Sequence, residues 1–248
     1  MSPAFTVLSL LPWADWLVLA CFFIAWAGYA HFARRRAERK PSILATTNLI
    51  RRKWMLQSTF REVRLIDSVV MQSLSSSASF FASTTILILG GLLAVLGAGD
   101  KASDLVQEIP FAARTTALVF DLKLLLLAGI FVYAFFRFTW SMRQYSFAAM
   151  LVATTPELRQ FNAMDEAEAQ TLREGFGDRA GRVAGLAAET FNDGLRAYYM
   201  SFAAIGWFFS PLVFAAATAG VLWILYRREF HSDVLALLRS ASAMPPER

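Results

Sequence analysis

The sequence predicts an all-α fold, a polytopic transmembrane helical bundle of four or five spans with helical cytoplasmic arms. Hydrophobic residues make up 56% of the 248 residues and charged residues only 17%, whereas soluble domains have about 45–50% apolar and about 25% charged residues. The mean hydropathy is +0.45. Basic residues flank the apolar runs, a pattern typical of membrane topology rather than of nucleic-acid binding. The length fits a single membrane domain, residues 1–248.

The first span is predicted at about residues 16–32. This segment is about 26 Å long as a helix, close to the ~30 Å hydrocarbon thickness of a bilayer. The first 33 residues contain no Lys or Arg, and a basic run at 34–40 follows. A signal peptide would begin with its basic residues, so we expect a permanent anchor with the N-terminus outside. The whole chain has a single cysteine, Cys21, so an intramolecular disulfide is excluded.

A first cytoplasmic arm is predicted at about residues 34–78. Residues 34–79 hold ten Lys or Arg, and their apolar residues do not form one clean stripe. We interpret the segment as helical and packed on protein or on lipid headgroups. Each basic residue beside a membrane attracts anionic lipid by ~1 kcal/mol, so anionic headgroups are expected partners.

The second and third spans are predicted at about 79–97 and 118–142. The third carries the intramembrane charges Asp121, Lys123 and Arg137. Charged residues inside membranes are rare and often functional. Lys123 and Arg137 lie near enough to the span ends for snorkelling to explain them, while Asp121 should face the bundle or the outer water layer.

The second cytoplasmic arm, about 143–194, contains glycines at 177, 181 and 185. This four-residue spacing predicts a smooth helix face that a second helix can approach closely. A nucleotide loop is disfavoured, because the glycine spacing is wrong and no strand precedes it. Gly90, Ala94 and Ala98 form a similar stripe in the second span.

The last apolar stretch, residues 198–226, allows two interpretations. It is either one kinked helix or a hairpin that turns at Ser210–Pro211, with spans at about 195–209 and 211–226. Residues 138–197 hold six Lys or Arg, but the connector 99–117 holds two. The positive-inside rule therefore favours five spans, with the N-terminus outside and the C-terminus cytoplasmic.

Four sequence blocks resemble one known family. They are SFFASTT at 79–85, FTWSMRQY at 138–145, GLRAYY at 194–199 and YRREF at 226–230. Together they resemble domain-of-unknown-function family 599, membrane proteins of bacteria with relatives in plants. The resemblance implies a multi-pass protein, in a bacterium one of the inner membrane. It implies no activity and no catalytic residue.

A strip of hydroxyl side chains is the most suggestive feature of the second span. At 100° per residue its members fall with one phenylalanine within about a third of the helix circumference. Hydroxyls beside an aromatic ring could line a pore or a substrate path; they could equally bond their own i−4 carbonyls and pack between helices. The candidate path-lining residues are Ser73, Ser76, Ser77, Phe80, Ser83 and Thr84.

A polar cluster of Asn192, Asp193 and Arg196 is the second candidate site, because Arg196 can pair with either neighbour on one helix face. No catalytic residue, metal site or cofactor is expected. The only histidines, His31 and His231, are too few for a metal site, which needs about three or four protein ligands. A membrane enzyme would need a nucleophile–base pair or a metal cluster, and the sequence suggests neither.

Two classes of function remain open at this point. The first is an oligomeric channel or small-solute carrier whose second span lines the path. The second is a non-transporting membrane scaffold or assembly factor that binds lipid or a protein partner. The expected partners are the lipid bilayer, anionic headgroups and further copies of the chain, but no nucleic acid. A ring with the second span at its axis would favour the channel.

Overall fold

The computed structural model describes residues 11–39, 42–99 and 116–243. Within these ranges every regular element is a helix, as the sequence predicts. The helices are α1 Trp13–Arg39, α2 Ile43–Ser58, α3 Leu65–Gly97, α4 Ala117–Ala153, α5 Leu158–Asn162, α6 Glu166–Ile205, α7 Pro211–Phe230 and α8 Asp233–Ala243, with a 3₁₀ turn at Gly206–Phe208 between α6 and α7.

Three of the helices are long and apolar enough to cross a membrane. They comprise Trp13–Ala33 of α1, all of α3 and all of α4. Their length and composition support the predicted membrane character. However, α3 begins at Leu65 rather than near 79, and α4 ends at Ala153 rather than near 142. The reason is that a helix ends where a breaker residue stops it, not where the bilayer stops. The predicted outer connector, with Lys101 and Arg114, lies largely outside the described residues.

The chain divides into two compact units. Unit 1 comprises the described parts of residues 1–36, 83–135 and 194–226. Its centre is aromatic: the Phe214 ring lies 5.0 Å from that of Phe22 and stacks 5.7 Å from that of Trp207. The Phe131 ring meets Tyr198 edge-on at 5.2 Å. Each such ring pair stabilises the fold by about 0.5–1.5 kcal/mol, in addition to the contribution from the area that it buries.

Unit 2 comprises the described parts of residues 37–82, 136–193 and 227–248. Its core brings together Met55 of α2, Met71 of α3, Tyr145 of α4 and small residues of α6 such as Ala184. Arg64 connects two turns of this unit. Its three guanidinium nitrogens donate to the carbonyls of residues 58, 155 and 156, at 3.0, 2.9 and 2.6 Å.

The glycine stripe of α6 packs directly against α2. A Cβ atom on Gly181 would lie 2.6 Å from the Cα of Arg52. One on Gly177 would lie 2.7 Å from the Cα of Leu56. The predicted close approach is thus confirmed for this stripe. At Gly90 of α3, by contrast, an added Cβ meets nothing within 4 Å, so the second predicted stripe has no neighbour within the described part of the chain.

The chain turns back on itself after α6. A Cβ on Gly206 would lie 3.2–3.3 Å from backbone atoms of residues 213 and 214, whereas eight residues of continuous helix would span about 12 Å. In unit 2, Glu189 accepts a hydrogen bond from Asn48, and Glu229 accepts one from the amide of Leu44. Residues 189 and 229 thus contact successive turns of α2. A single kinked helix through 198–226 is therefore not the structure.

A buried arginine stabilises the start of α6. Arg173 is only 5% exposed and lies between the rings of Phe60 and Phe161, at 4.2 and 4.0 Å from their centroids. It also donates to the carbonyl of Thr59. Two aromatic faces and a carbonyl together compensate the guanidinium for its lost water.

We expect Arg173→Ala to lower the free energy of unfolding by about 2 kcal/mol, because desolvated cation–π contacts are each worth up to about that much. Denaturation in detergent micelles would measure the change. The matched control is Arg179→Ala, because Arg179 lies 5.1 Å over Phe176 but is exposed. Arg179→Ala should lower the free energy of unfolding by less than about 0.5 kcal/mol. Equal losses in the two variants would contradict the role of Arg173.

Candidate functional site

The hydroxyl strip of α3 faces away from its own chain. Ser73, Ser76, Ser77, Ser83 and Phe80 are exposed and Thr84 is half-buried, with Phe80 at 66%. The buried side of the helix is the opposite one, formed by Met71, Ala78, Ala82 and Thr85. Within the described part of the chain, most of the strip is therefore not packed between helices. A path lined by these residues would have to form between copies.

The hydroxyls of the strip also form bonds along their own helix. Ser77 donates to the carbonyl of Ser73 at 3.1 Å, and Gln72 donates to the hydroxyl of Ser76 at 3.4 Å. The first bond uses the Ser77 hydroxyl donor, and the second uses one acceptor lone pair of the Ser76 hydroxyl. A hydroxyl has one donor and two acceptor lone pairs, so each of the two keeps further capacity. The strip therefore keeps hydrogen-bonding capacity on the exposed side of the helix.

Two residues from different candidate groups form an ion pair. Arg137 of α4 pairs with Asp193 of α6, with side-chain exposures of 27% and 6%. From sequence, Arg137 was explained by snorkelling and Asp193 by pairing within its own helix. Burial of the carboxylate makes a partner obligatory, and the guanidinium on the neighbouring helix supplies it. A second bond connects the same helices, from the Ser141 hydroxyl to the carbonyl of Ala187 at 2.7 Å.

Lys123 is buried in unit 1 at 3% exposure. Its Nζ lies 5.6 and 5.7 Å from the ring centroids of Trp207 and Phe208. The Trp207 indole N–H donates to Asp15 at 2.5 Å, and Asp15 is itself 8% exposed. Sequence analysis missed Asp15, although an acidic residue between Trp13 and Trp16 was a visible signal.

The remaining candidates are half-buried or almost fully buried. Asn192 and Asp121 are half-buried. Arg196 is 9% exposed and lies 5.8 Å over the ring of Tyr29. A further buried polar contact in unit 1, missed from sequence, connects the hydroxyls of Thr85 and Tyr198 at 2.7 Å. Across the described ranges no three His, Cys, Asp or Glu side chains converge in a way that could hold a metal ion.

A known protein family matches this chain. The model of a family described as "protein of unknown function, DUF599" matches residues 17–234. That range covers most of the chain. The chain belongs to the DUF599 family. Neither a curated protein nor a solved structure matches it.

Membership of DUF599 confirms the resemblance seen in the four sequence blocks. Of the three helices that are long and apolar enough to cross a membrane, the matched range includes two in full and the first from residue 17 onward. It also includes the hydroxyl strip, the Arg137–Asp193 pair and Lys123. The DUF599 description assigns no activity to any of them, so function has to be argued from their geometry.

Proposed function

We propose that this DUF599 chain is a multi-pass inner-membrane protein whose copies assemble into a channel or carrier for ions or small polar solutes. The orientation of the hydroxyl strip is the observation that supports it. Five polar or aromatic residues of α3 are exposed on the side opposite to its buried face. Hydroxyls facing hydrocarbon gain nothing over alanine, whereas water or a second copy can accept their hydrogen bonds.

The proposed topology has five spans, the N-terminus outside and the C-terminus in the cytoplasm. The reversal after α6 supports it, because Arg227 and Arg228 then return to the side of the basic arms. A reporter enzyme fused after Arg248 should be active in the cytoplasm. Activity of that fusion only in the periplasm would contradict the five-span arrangement.

We expect Ser76→Leu or Thr84→Leu to abolish solute flux in liposomes that contain the purified protein, because each leucine adds apolar bulk to the path. The matched control is Ser146→Leu. Ser146 is an exposed serine on α4, and its hydroxyl donates to the carbonyl of Met142. Flux through the Ser146→Leu variant should therefore stay at the wild-type level. Flux that persists in both strip variants would contradict the path.

Thiol labelling tests the same strip without a flux assay. Cys21 is exposed, so the experiment starts from Cys21→Ser. Thr84→Cys in that background should react with a membrane-impermeant reagent if the strip faces water. Labelling only by a lipid-soluble reagent, in a normally assembled protein, would mean that the strip faces lipid.

A non-transporting scaffold is the second candidate, and a separate apolar surface in unit 2 favours it. Val63, Leu65, Ile66 and Val69 are 60–71% exposed around the start of α3. Exposed apolar patches of this kind typically mark contacts with protein or membrane. Under this alternative no variant shows flux, and Ser76→Leu instead lowers stability by ~1–3 kcal/mol by overpacking an interface.

A further inference from the structure

A groove with a volume of about 570 Å³ lies between α1 and α4 in unit 1. Among the residues that line it, only Trp26 and Tyr133 have a polar side-chain atom, and their two rings meet edge-on at 5.5 Å. The side chains of Ala27, Ala30 and Gly129 are small and leave room between the helices. The volume is typical of small-molecule sites. A polar ligand would find few hydrogen-bond partners there, so an apolar ligand fits the lining best.

The groove has the depth of one leaflet of a bilayer. The part of α1 that is long and apolar enough to cross a membrane is Trp13–Ala33, with 21 residues. Its midpoint is Phe23, which is the first α1 residue of the groove, and Ala30 is the last. The rise from Phe23 to Ala30 is about 12 Å, and the hydrocarbon of one leaflet is about 15 Å deep. The groove therefore runs from the middle of the bilayer to one surface, as a lipid acyl chain does.

The surface end of the groove is followed by basic residues. Arg34, Arg35 and Arg36 come shortly after Ala30 on the same helix, and Arg35 is exposed. Basic residues at a membrane surface attract anionic lipid headgroups. A phosphate beside these arginines would bring the acyl chain of the same lipid to the end of the groove. The charge at this end and the depth of the groove therefore fit the same ligand, an anionic phospholipid.

We propose that the groove binds one acyl chain of an anionic phospholipid, whose headgroup lies beside Arg34 and Arg35. The lipid comes from the leaflet on the side of these arginines, which is the cytoplasmic leaflet in the proposed topology. Binding at the groove requires no path along α3, so its test can fail or succeed separately from that of the proposed channel. A helix of a second copy is the competing occupant of an apolar groove, and the experiments below distinguish the two.

The test uses the full chain, delipidated in dodecyl maltoside micelles, and native mass spectrometry counts the lipid molecules that stay bound. The probe is palmitoyl-oleoyl phosphatidylglycerol, and its zwitterionic match is phosphatidylcholine with the same acyl chains. The tightest site should take a single phosphatidylglycerol per chain. Its affinity should exceed that for phosphatidylcholine at least about fivefold, the ratio expected from one basic residue at the headgroup. Equal affinity for the two lipids, or no saturable binding, would overturn the proposal.

Two phenylalanine variants fill the groove from opposite walls. Gly129 and Ala27 are exposed residues of the lining, and a Cβ on Gly129 would meet nothing within 4 Å. Gly129→Phe and Ala27→Phe should each weaken phosphatidylglycerol binding at least about tenfold, because the ring occupies the space of the acyl chain. The matched control is Gly90→Phe on α3, where an added Cβ also meets nothing within 4 Å, and its affinity should equal that of the wild type. Unchanged affinity in the folded Gly129→Phe and Ala27→Phe variants would overturn the proposal.

A double charge variant tests the position of the headgroup. Arg34→Gln together with Arg35→Gln should remove the preference for phosphatidylglycerol over phosphatidylcholine, because the attraction to the anionic headgroup is lost. The control is Arg179→Gln together with Arg182→Gln, which removes the same charge from two exposed residues of α6 and should leave the preference intact. A preference that persists without Arg34 and Arg35 would contradict the headgroup position.

The same mass spectra identify the occupant of the groove. A lipid in the groove leaves the oligomeric state unchanged when Gly129→Phe releases phosphatidylglycerol. If a helix of a second copy fills the groove instead, Gly129→Phe separates the copies while the affinity for phosphatidylglycerol stays the same. That second result would overturn the proposal.

Discussion

Replacing Asp193 by asparagine is expected to lower the free energy of unfolding by about 3–5 kcal/mol, the typical loss when one partner of a buried ion pair is removed. Asp193 is 5% exposed as a residue and its carboxylate pairs with Arg137 across α4 and α6. The variant keeps the side-chain volume but leaves the guanidinium without this carboxylate. Unfolding in mixed micelles would measure the loss.

A double-mutant cycle separates the interaction energy of the ion pair from other effects of the two substitutions on stability. Asp193→Asn and Arg137→Gln together should cost at least about 1 kcal/mol less than the sum of the single losses, because the double variant leaves neither charge uncompensated. The control is Asp178→Asn. Asp178 lies in a half-exposed pair with Arg182 at 3.7 Å, so its loss should stay below about 1 kcal/mol. Additive losses at Asp193 and Arg137 would contradict the coupling.

Gly181→Ala is expected to lower the free energy of unfolding by about 2–3 kcal/mol, at the upper end of the effects of overpacking. The added Cβ would lie 2.6 Å from the Cα of Arg52, and backbone cannot rotate away as a side chain can. The two helices must therefore separate, which loosens the packing of α2 on α6. We expect a lower melting temperature and faster proteolysis within α2.

Gly175→Ala on the same helix is the matched control. Its Cβ would meet only the flexible end of Arg179, at 3.4 Å. Alanine favours a helix over glycine by up to about 1 kcal/mol, so this variant should be neutral or more stable. The close-approach explanation fails if Gly181→Ala is as stable as Gly175→Ala.

Composition and glycine spacing predicted much of this fold. The surplus of apolar residues predicted membrane helices, and three helices meet that expectation. The four-residue spacing from Gly177 to Gly185 predicted a close helix contact, because spacing is a local property that one helix carries in full. The break at Ser210–Pro211 was also readable, since proline starts helices but interrupts them inside.

Partners across the fold could not be predicted in the same way. Nothing local to Asp193 or Arg137 shows that they lie side by side, since 56 residues separate them. The sequence of α3 also left open which way the hydroxyl strip faces, because the neighbours of α3 decide which side is buried. Small residues on the other side, Ala78 and Ala82, allow closer packing, and they turn the strip outward.

The contact between α2 and α6 has a consequence for the ionic-strength dependence of this protein. The backbone contact at Gly177 and Gly181 involves no charge, so added salt does not screen it. The half-exposed Arg52–Asp178 ion pair, at 3.6 Å, contributes little to stability in any buffer. Adsorption of basic residues to anionic vesicles, in contrast, weakens once the Debye length falls to ~3 Å at 1 M salt. Raising the salt concentration should therefore release the basic residues from anionic vesicles, while α2 stays packed on α6. One salt titration can thus separate the adsorption to vesicles from the contact between the two helices.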